Sequence, residues 1–347
     1  VTPDIAALLA IDGISTGAIY VLIAIGLVLI FAVTRVIFVP FGDIAAFAAL
    51  TLSALEGRHR PGTIGLVAAL SGLAALAEIV SLARAGRSQA IPRSLLFYLV
   101  LPMAAVGIVW AAAGAAWPMP VRIVLAVILV LPIAPLLDRL VFRPIADASV
   151  LLLLTVAVAL HFALAGLGLI FFGPEGVRTD RWTDYVLDIG DVSISGQTLL
   201  IVAAALLFSL LLYLFFGFSL LGKALHATAV NRTGARLVGI RPNRAGTLAY
   251  LLASLLAGVS GVLIAPVDTI FYDSGFLLGL LAFVGAIIGG LVSYPITALG
   301  AVLVGLLESF ASFYSSALKE VLVFSVLIPV LLWRSVTSVQ SEEDIEE

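Results

Sequence analysis

The sequence predicts an all-α polytopic membrane protein, and three observations carry that prediction: an apolar composition, repeated apolar runs of bilayer length, and cations gathered into a few loops. Of 347 residues, 62% are hydrophobic and 11% charged, with a mean hydropathy of +1.22. Soluble domains use about 45–50% apolar and 25% charged residues. A net charge of −3 argues against a nucleic-acid partner, and the absence of Cys removes disulfides, thiolate metal sites and cysteine nucleophiles together. No cofactor is expected.

Runs near the roughly 20 residues that cross a bilayer lie at Ile14 to Val33, Val36 to Leu55, Gly62 to Ala83, Ser94 to Ala116 and Val121 to Leu137. The second half offers Ala148 to Phe172, Gln197 to Phe216, Ala245 to Ala265, Phe276 to Val292, Ile296 to Tyr314 and a short run at Val321 to Trp333. This makes about 11 apparent spans, with a range of 8–11. No Lys or Arg precedes the first run, and that run is long enough to span, so residues 1–12 do not read as a cleavable signal peptide.

Sidedness follows from the cations. Gly217 to Arg244 holds Lys223, Arg232, Arg236, Arg241 and Arg244 with no acid, which places it in the cytoplasm. Alternating from there puts Arg35, Arg84, Arg87, Arg93, Arg139, Arg143 and Arg334 on the same side. Twelve of the 18 cations are then inside, with an outside N-terminus and an inside C-terminus; the pair Arg58 and Arg60 runs against the bias. The acidic loop Gly173 to Gly196, carrying Glu175, Asp180, Asp184, Asp188 and Asp191, falls outside, where it can receive a soluble partner or merely tolerate acids. The tail 335–347 ends in SEEDIEE and reads as solvated.

Several motifs lose to plainer readings. Gly217, Gly222 and Lys223 spell G-x-x-x-x-G-K, but Ala224 stands where a Ser or Thr must hold magnesium and a membrane span precedes the first Gly. Asn231, Arg232 and Thr233 form a glycosylation sequon on the wrong side of the membrane. Glu78 lies inside an apolar run and reads as a residue near a helix end or facing another helix. His161 has no carboxylate or second His nearby in sequence, which disfavours a metal site or proton relay. Gly258 and Gly261, like the G-x-x-x-G of Gly285 and Gly289, suit close helix packing.

From Gly222 through Pro266, GKALHATAVNRTGARLVGIRPNRAGTLAYLLASLLAGVSGVLIAP resembles the permeases of branched-chain amino acid ABC importers. Gly13 to Asp43 and the stretch DRLVFRPIADAS at Asp138 to Ser149 extend the resemblance, which covers Gly13 to Leu55 and Val121 to Trp333. Glu56 to Pro120 is unmatched and reads as a two-span insertion in an ABC importer permease fold.

The resemblance implies that Ala229 to Ile240 is the cytoplasmic coupling segment, a short helix docking on an ATPase subunit, with Ala229, Asn231, Arg232, Thr233, Ala235, Arg236 and Gly239 at the contact. Arg232 and Arg236, four apart, share a helical face, and Leu237, Val238 and Ile240 add apolar contact. An amphipathic helix resting on anionic lipid is the competing reading. Relatives usually carry an acid before the Asn, where this chain has Val230. They also have an Asn-Phe-Ala-His-Gly stretch after the first span, where this chain has Phe38, Val39, Pro40, Phe41 and Gly42, then Asp43; a pathway lined by these residues would take a less polar or aromatic solute. Gly289, Gly290, Ser293 and Pro295 mark a second interrupted segment, and two such breaks are a feature of solute pathways in many transporters. Glu308, matched by an acid in relatives, reads as a structural or gating group.

The implied assembly, in a prokaryotic plasma membrane, comprises this chain, a second homologous permease, two cytoplasmic ATPase subunits and an extracytoplasmic solute-binding protein. The chain itself would not be an enzyme. Importers of urea, amides and aromatic acids use permeases of the same broad type. A stand-alone secondary transporter, coupled to ions through Asp43, Glu78 or Glu308, is the alternative from another class. An intramembrane enzyme is disfavoured, because no H-E-x-x-H pair, Cys nucleophile or clustered His and acid occurs.

Overall fold

The structure, a computed structural model, describes residues 2–86, 88–190, 192–325, 328, 329 and 332. Arg87, Asp191, Arg334, much of the expected last span Val321 to Trp333, and the tail 335–347 lie outside the described residues. The helices, in chain order, are α1 (Pro3–Thr34), α2 (Phe41–Glu56), α3 (Thr63–Arg84), α4 (Ile91–Ala112), α5 (Met119–Ile145), α6 (Val150–Phe172), α7 (Gly196–Phe218), α8 (Leu220–Val230), α9 (Arg232–Leu237), α10 (Pro242–Ile264), α11 (Gly275–Ile288) and α12 (Tyr294–Tyr314). Two short strands, β1 (Val186–Ile189) and β2 (Val192–Ser195), form an antiparallel hairpin with Val186 opposite Ser195.

Eight of these helices, α1, α3, α4, α5, α6, α7, α10 and α12, are long and apolar enough to cross a membrane among the described residues. Two further apolar segments that the hydropathy pattern counts as spans fold as shorter helices: α2 has 16 residues and α11 has 14. Turn chemistry trims both. Arg35, in the left-handed region at φ 62°, stops α1, and Pro40 precedes α2. Gly290 (φ 69°) and Leu291 (φ 59°) stop α11.

The chain divides into two compact units. The larger comprises Leu29–Trp182 and Phe208–Gly279. Its centre is the crossing of α2 and α10. Every residue of α2 from Phe41 to Leu52 is buried, and its small side chains Ala45, Ala46, Ala48 and Ala49 let backbones approach closely. On α10, a methyl group at Gly261 would strike the carbonyl oxygen of Ala45. Ser254 Oγ on α10 donates to the Val130 carbonyl of α5 at 3.0 Å, which satisfies a buried hydroxyl and ties the two helices. The helices α3 and α4, which make up the segment between Glu56 and Pro120, pack on α5 in the same unit. Their outer faces present Leu76, Phe97 and Trp110 to the surroundings, an apolar surface of the kind that hydrocarbon covers.

Two π-helical turns interrupt this region, Leu96–Val100 in α4 and Asp138–Phe142 in α5. Pro132 in α5 lacks a backbone donor, and the regular pattern lapses at Leu131 and Pro132 before the second π turn. Such turns re-aim side chains and concentrate at functional sites.

The smaller unit comprises Val1–Val28, Thr183–Leu207 and Leu280–Glu347. Within it, α12 lies along the first part of α1 through small residues: Cβ atoms at Gly13 or Gly17 would press on the backbone of Leu306 or Val302. Ser309 Oγ reaches the Leu9 carbonyl at 2.9 Å and Asp12 Oδ2 at 3.0 Å. The end of α11 and the start of α12 form a tight helical hairpin, with Gly285 against Ala301 and Gly289 against Thr297.

Candidate functional site

The N-terminus of α2 holds the first group of expected residues. Phe38, Pro40, Phe41, Gly42 and Asp43 are all buried. Phe38 meets Phe142 and Tyr250 edge-on, with ring centroids 5.6 and 5.2 Å apart. Asp43, in the first turn of α2, gains from the positive end of the helix dipole. Its carboxylate also has a partner: Nδ1 of His161, on α6, lies 2.9 Å from both oxygens, and both side chains are buried. Phe276 stacks on the imidazole at 4.8 Å. Gly275 at the start of α11 lies so close that an added Cβ would come 2.5 Å from the Asp43 nitrogen and Cα. The sequence around His161 offers no carboxylate partner, because Asp43 lies 118 residues away in the chain. The usable signal was weaker: a lone ionisable group on an apolar helix needs a partner from some other helix.

Glu78 follows the same logic. It pairs with Arg139 from the π turn of α5, an ion pair with both side chains largely buried. Asp138, next to Arg139, pairs with Arg143 at 3.1 Å, and Arg143 also donates to Tyr98 Oη at 2.9 Å and to Thr247 Oγ1. These contacts join α3, α4, α5 and α10 around one polar cluster.

In the smaller unit, Gly289, Gly290, Ser293 and Pro295 form the turn between α11 and α12. Pro295 stands in the first turn of α12, where a missing donor costs nothing. Glu308, on α12, accepts from Tyr20 Oη at 2.6 Å and from Lys319 Nζ at 3.2 Å.

The second group is a compact capped unit. Helix α8 ends at Val230, and Asn231 leaves helical geometry to cap α9, its Oδ1 accepting from Gly234 N at 2.8 Å. At the other end, Gly239 takes φ 86° and lets the Ile240 N–H return to the Ala235 carbonyl at 3.0 Å, closing the helix. Ala235 is buried, whereas Thr233, Arg236, Leu237 and Val238 are exposed. Arg232 parts company with Arg236: it is half-buried and lines a small cavity of about 30 Å³ with Asp138 and Tyr250. At the first residue of so short a helix, the cap geometry rather than the four-residue spacing decides where the side chain goes. The exposed surface left by α9 mixes a cation with uncovered aliphatic groups, the composition of a protein-docking face. Ala229 belongs to the last turn of α8.

The profile of the family described as the branched-chain amino acid transport system permease component matches residues 9–331. The high-affinity branched-chain amino acid transport system permease protein LivH of Escherichia coli K12 is 28% identical over 203 residues, covering 56% of this chain and 66% of the LivH sequence. LivH of Salmonella typhimurium aligns to the same extent. The permease protein BraD of Pseudomonas aeruginosa is 35% identical over 158 residues, 45% of this chain and 51% of BraD. The chain thus spans between half and about two-thirds of the length of these relatives. No solved structure matches it.

Proposed function

Because the chain belongs to the family of branched-chain amino acid transport permease components, we propose that it is the membrane permease subunit of an ATP-driven importer. Its solute would be a branched-chain amino acid or a related small organic molecule such as urea, an amide or an aromatic acid. The observation that carries the reading is the capped α9 segment, which leaves Arg236, Leu237 and Val238 exposed between two membrane-length helices. A rigid, partly apolar element of this kind suits a cleft on an ATPase subunit.

In this reading Ala229, Asn231, Arg232, Thr233, Ala235, Arg236 and Gly239 build the coupling segment, with Arg236 at the contact and Asn231 and Gly239 setting its shape. A second homologous permease, two ATPase subunits and an extracytoplasmic binding protein complete the assembly. The ATPases hydrolyse ATP, and this chain supplies the path. Each partner shifts the permease between outward-open and inward-open states only by its differential affinity for the two, so the α9 contact has to differ between them. The buried turn Phe38, Pro40, Phe41, Gly42 and Asp43, together with Gly289, Gly290, Ser293, Pro295 and Glu308, borders the path in this reading. Glu56 to Pro120 is an added helix pair. Its two crossings leave the cytoplasmic placement of the coupling segment unchanged.

An ion-coupled secondary transporter is the alternative. Asp43, Glu78 and Glu308 are each engaged by a basic partner, His161, Arg139 and Lys319, and membership of the permease family supports the subunit reading over that alternative. The test is affinity purification of the chain from its native membrane with mass spectrometry and an ATPase assay. Co-purifying ATPases and a sister permease are expected. A homo-oligomer without ATPase activity would overturn the proposal.

A further inference from the structure

A cavity of about 770 Å³ lies in the bigger unit, between α4, α5 and the start of α10. That is within the range of about 300–1,000 Å³ typical of small-molecule sites. Its chemistry is graded, and all three helices grade in the same direction. On α4, Arg93, Ser94 and Tyr98 give way to Leu101, Pro102 and Ala105. On α10, Asn243, Arg244 and Thr247 give way to Leu248 and Leu251. On α5, which runs the other way, Arg143 is followed toward the N-terminus by Pro135, Leu131 and Ile128. The contacts of Arg143 with Tyr98 and Thr247 bring the three polar ends together. The site is therefore polar at one end and hydrocarbon-like along the rest.

The polar end carries a surplus of positive charge. Arg143 is balanced by Asp138, and Glu78 is balanced by Arg139. Arg93 and Arg244 remain, both exposed and neither ion-paired among the described residues. Both stand near the first turn of a membrane-length helix, the depth at which lipid headgroups lie. Where the polar end gives way to the apolar part, Phe97 and Leu101 line the cavity while 55% and 52% exposed. The cavity thus opens on the hydrocarbon-facing surface rather than on water alone.

We infer that this cavity is a binding site for an anionic phospholipid, its phosphate held between Arg93 and Arg244 and an acyl chain laid along Leu101, Ala105, Leu131 and Leu251. Two unpaired guanidiniums match a phosphate, and a laterally open apolar trough matches a chain that continues into the bilayer. Basic recesses at the ends of membrane helices are a recurrent solution for anionic headgroups. The segment between Glu56 and Pro120 has a use in this assignment, because α4 supplies one whole wall of the site. The inference is independent of which solute the protein carries.

The experiment is native mass spectrometry of the full chain in detergent, titrated with phosphatidylglycerol, with phosphatidylcholine of equal chain length, and with inorganic phosphate. Phosphatidylglycerol should be retained in preference to phosphatidylcholine. The double variant Arg93→Gln, Arg244→Gln should lose that retention by about 10- to 30-fold, since each cation near an anionic surface contributes up to about fivefold. Both side chains are exposed, so the fold is not at stake. Lys223→Gln, an exposed cation outside the cavity, should change nothing. Equal retention of the two lipids, or an unchanged double variant, would overturn the assignment. So would inorganic phosphate binding as tightly as the lipid with the same arginine dependence, because the acyl trough would then contribute nothing.

Discussion

The imidazole of His161 reaches both carboxylate oxygens of Asp43 at 2.9 Å from a position 118 residues away, and the pair is closed over by Phe276 and the Gly275 backbone. A buried acid and a buried base that share one bond depend on each other. Removing either leaves the other without compensation, at a cost of about 3–5 kcal/mol for buried pairs, whereas replacing both removes the penalty. His161→Ala, which strands the buried carboxyl, is expected to destabilise the protein by an amount in that range, and Asp43→Asn by less, because the amide can still bond a neutral imidazole. The double variant Asp43→Asn, His161→Gln should recover much of the loss. Thermal unfolding in detergent of the three variants checks this; additive losses would mean that the two side chains do not act as a pair.

Gly275 has no room for a side chain, since a Cβ would press on the Asp43 backbone and carboxylate. Gly275→Ala should cost about 1–3 kcal/mol, the usual penalty of overpacking. Gly107, with nothing within 4 Å of an added Cβ, is the matched control. Gly107→Ala should leave the unfolding temperature unchanged or raise it.

Asn231 holds the start of α9 through one side-chain bond to Gly234 N. Asn231→Ala should cost the local helix about 1 kcal/mol, while Asn231→Asp should preserve the cap. Hydrogen exchange followed by mass spectrometry should show Arg232–Leu237 opening more readily in the Ala variant only. Equal protection in both would mean that packing of Ala235, not the cap, holds the helix.

Arg236 is exposed and makes no ion pair among the described residues, so its charge can be reversed without unfolding the segment. In the proposed assembly, Arg236→Glu should prevent ATPase subunits from co-purifying while membrane insertion stays normal. A fully assembled, transporting variant would remove the coupling assignment.

Glu308 is less buried than Asp43, and its partner Lys319 keeps 29% of its side chain exposed. Screening reduces what such a pair is worth, so Glu308→Gln should cost only about 1 kcal/mol, because the amide oxygen can still accept from Tyr20 and only the attraction of the charge for Lys319 is lost. In the proposed assembly, transport by this variant should keep its dependence on ATP. Uptake that follows a proton gradient in the parent and loses that dependence in Glu308→Gln would favour the ion-coupled alternative.

Much of the fold was legible because its signals are local. The apolar runs at Gly62 to Ala83, Ala148 to Phe172 and Gln197 to Phe216 became α3, α6 and α7 with no end shifted by more than two residues. The cap at Asn231 and the left-handed turn at Gly239 are likewise written in adjacent residue types. The short lengths of α2 and α11 were less legible. Hydropathy continues through Val36 to Pro40, but α2 starts only after Pro40, and through Leu291 and Val292, where the left-handed backbone at Gly290 and Leu291 has already ended α11.

By itself, the sequence determined the membrane class, most of the helices, the place of the α8–α9 segment and the family, because each depends on composition, on short-range periodicity or on a contiguous motif. Only the tertiary structure decided that Asp43 belongs with His161, Glu78 with Arg139 and Asp138 with Arg143. It alone lined up Arg93, Arg143 and Arg244 at one end of a single cavity. The physical reason is that in an apolar interior a charged group takes whichever partner the helix packing brings within about 3 Å. That choice is made by crossings between segments distant in the chain, where no local pattern records it.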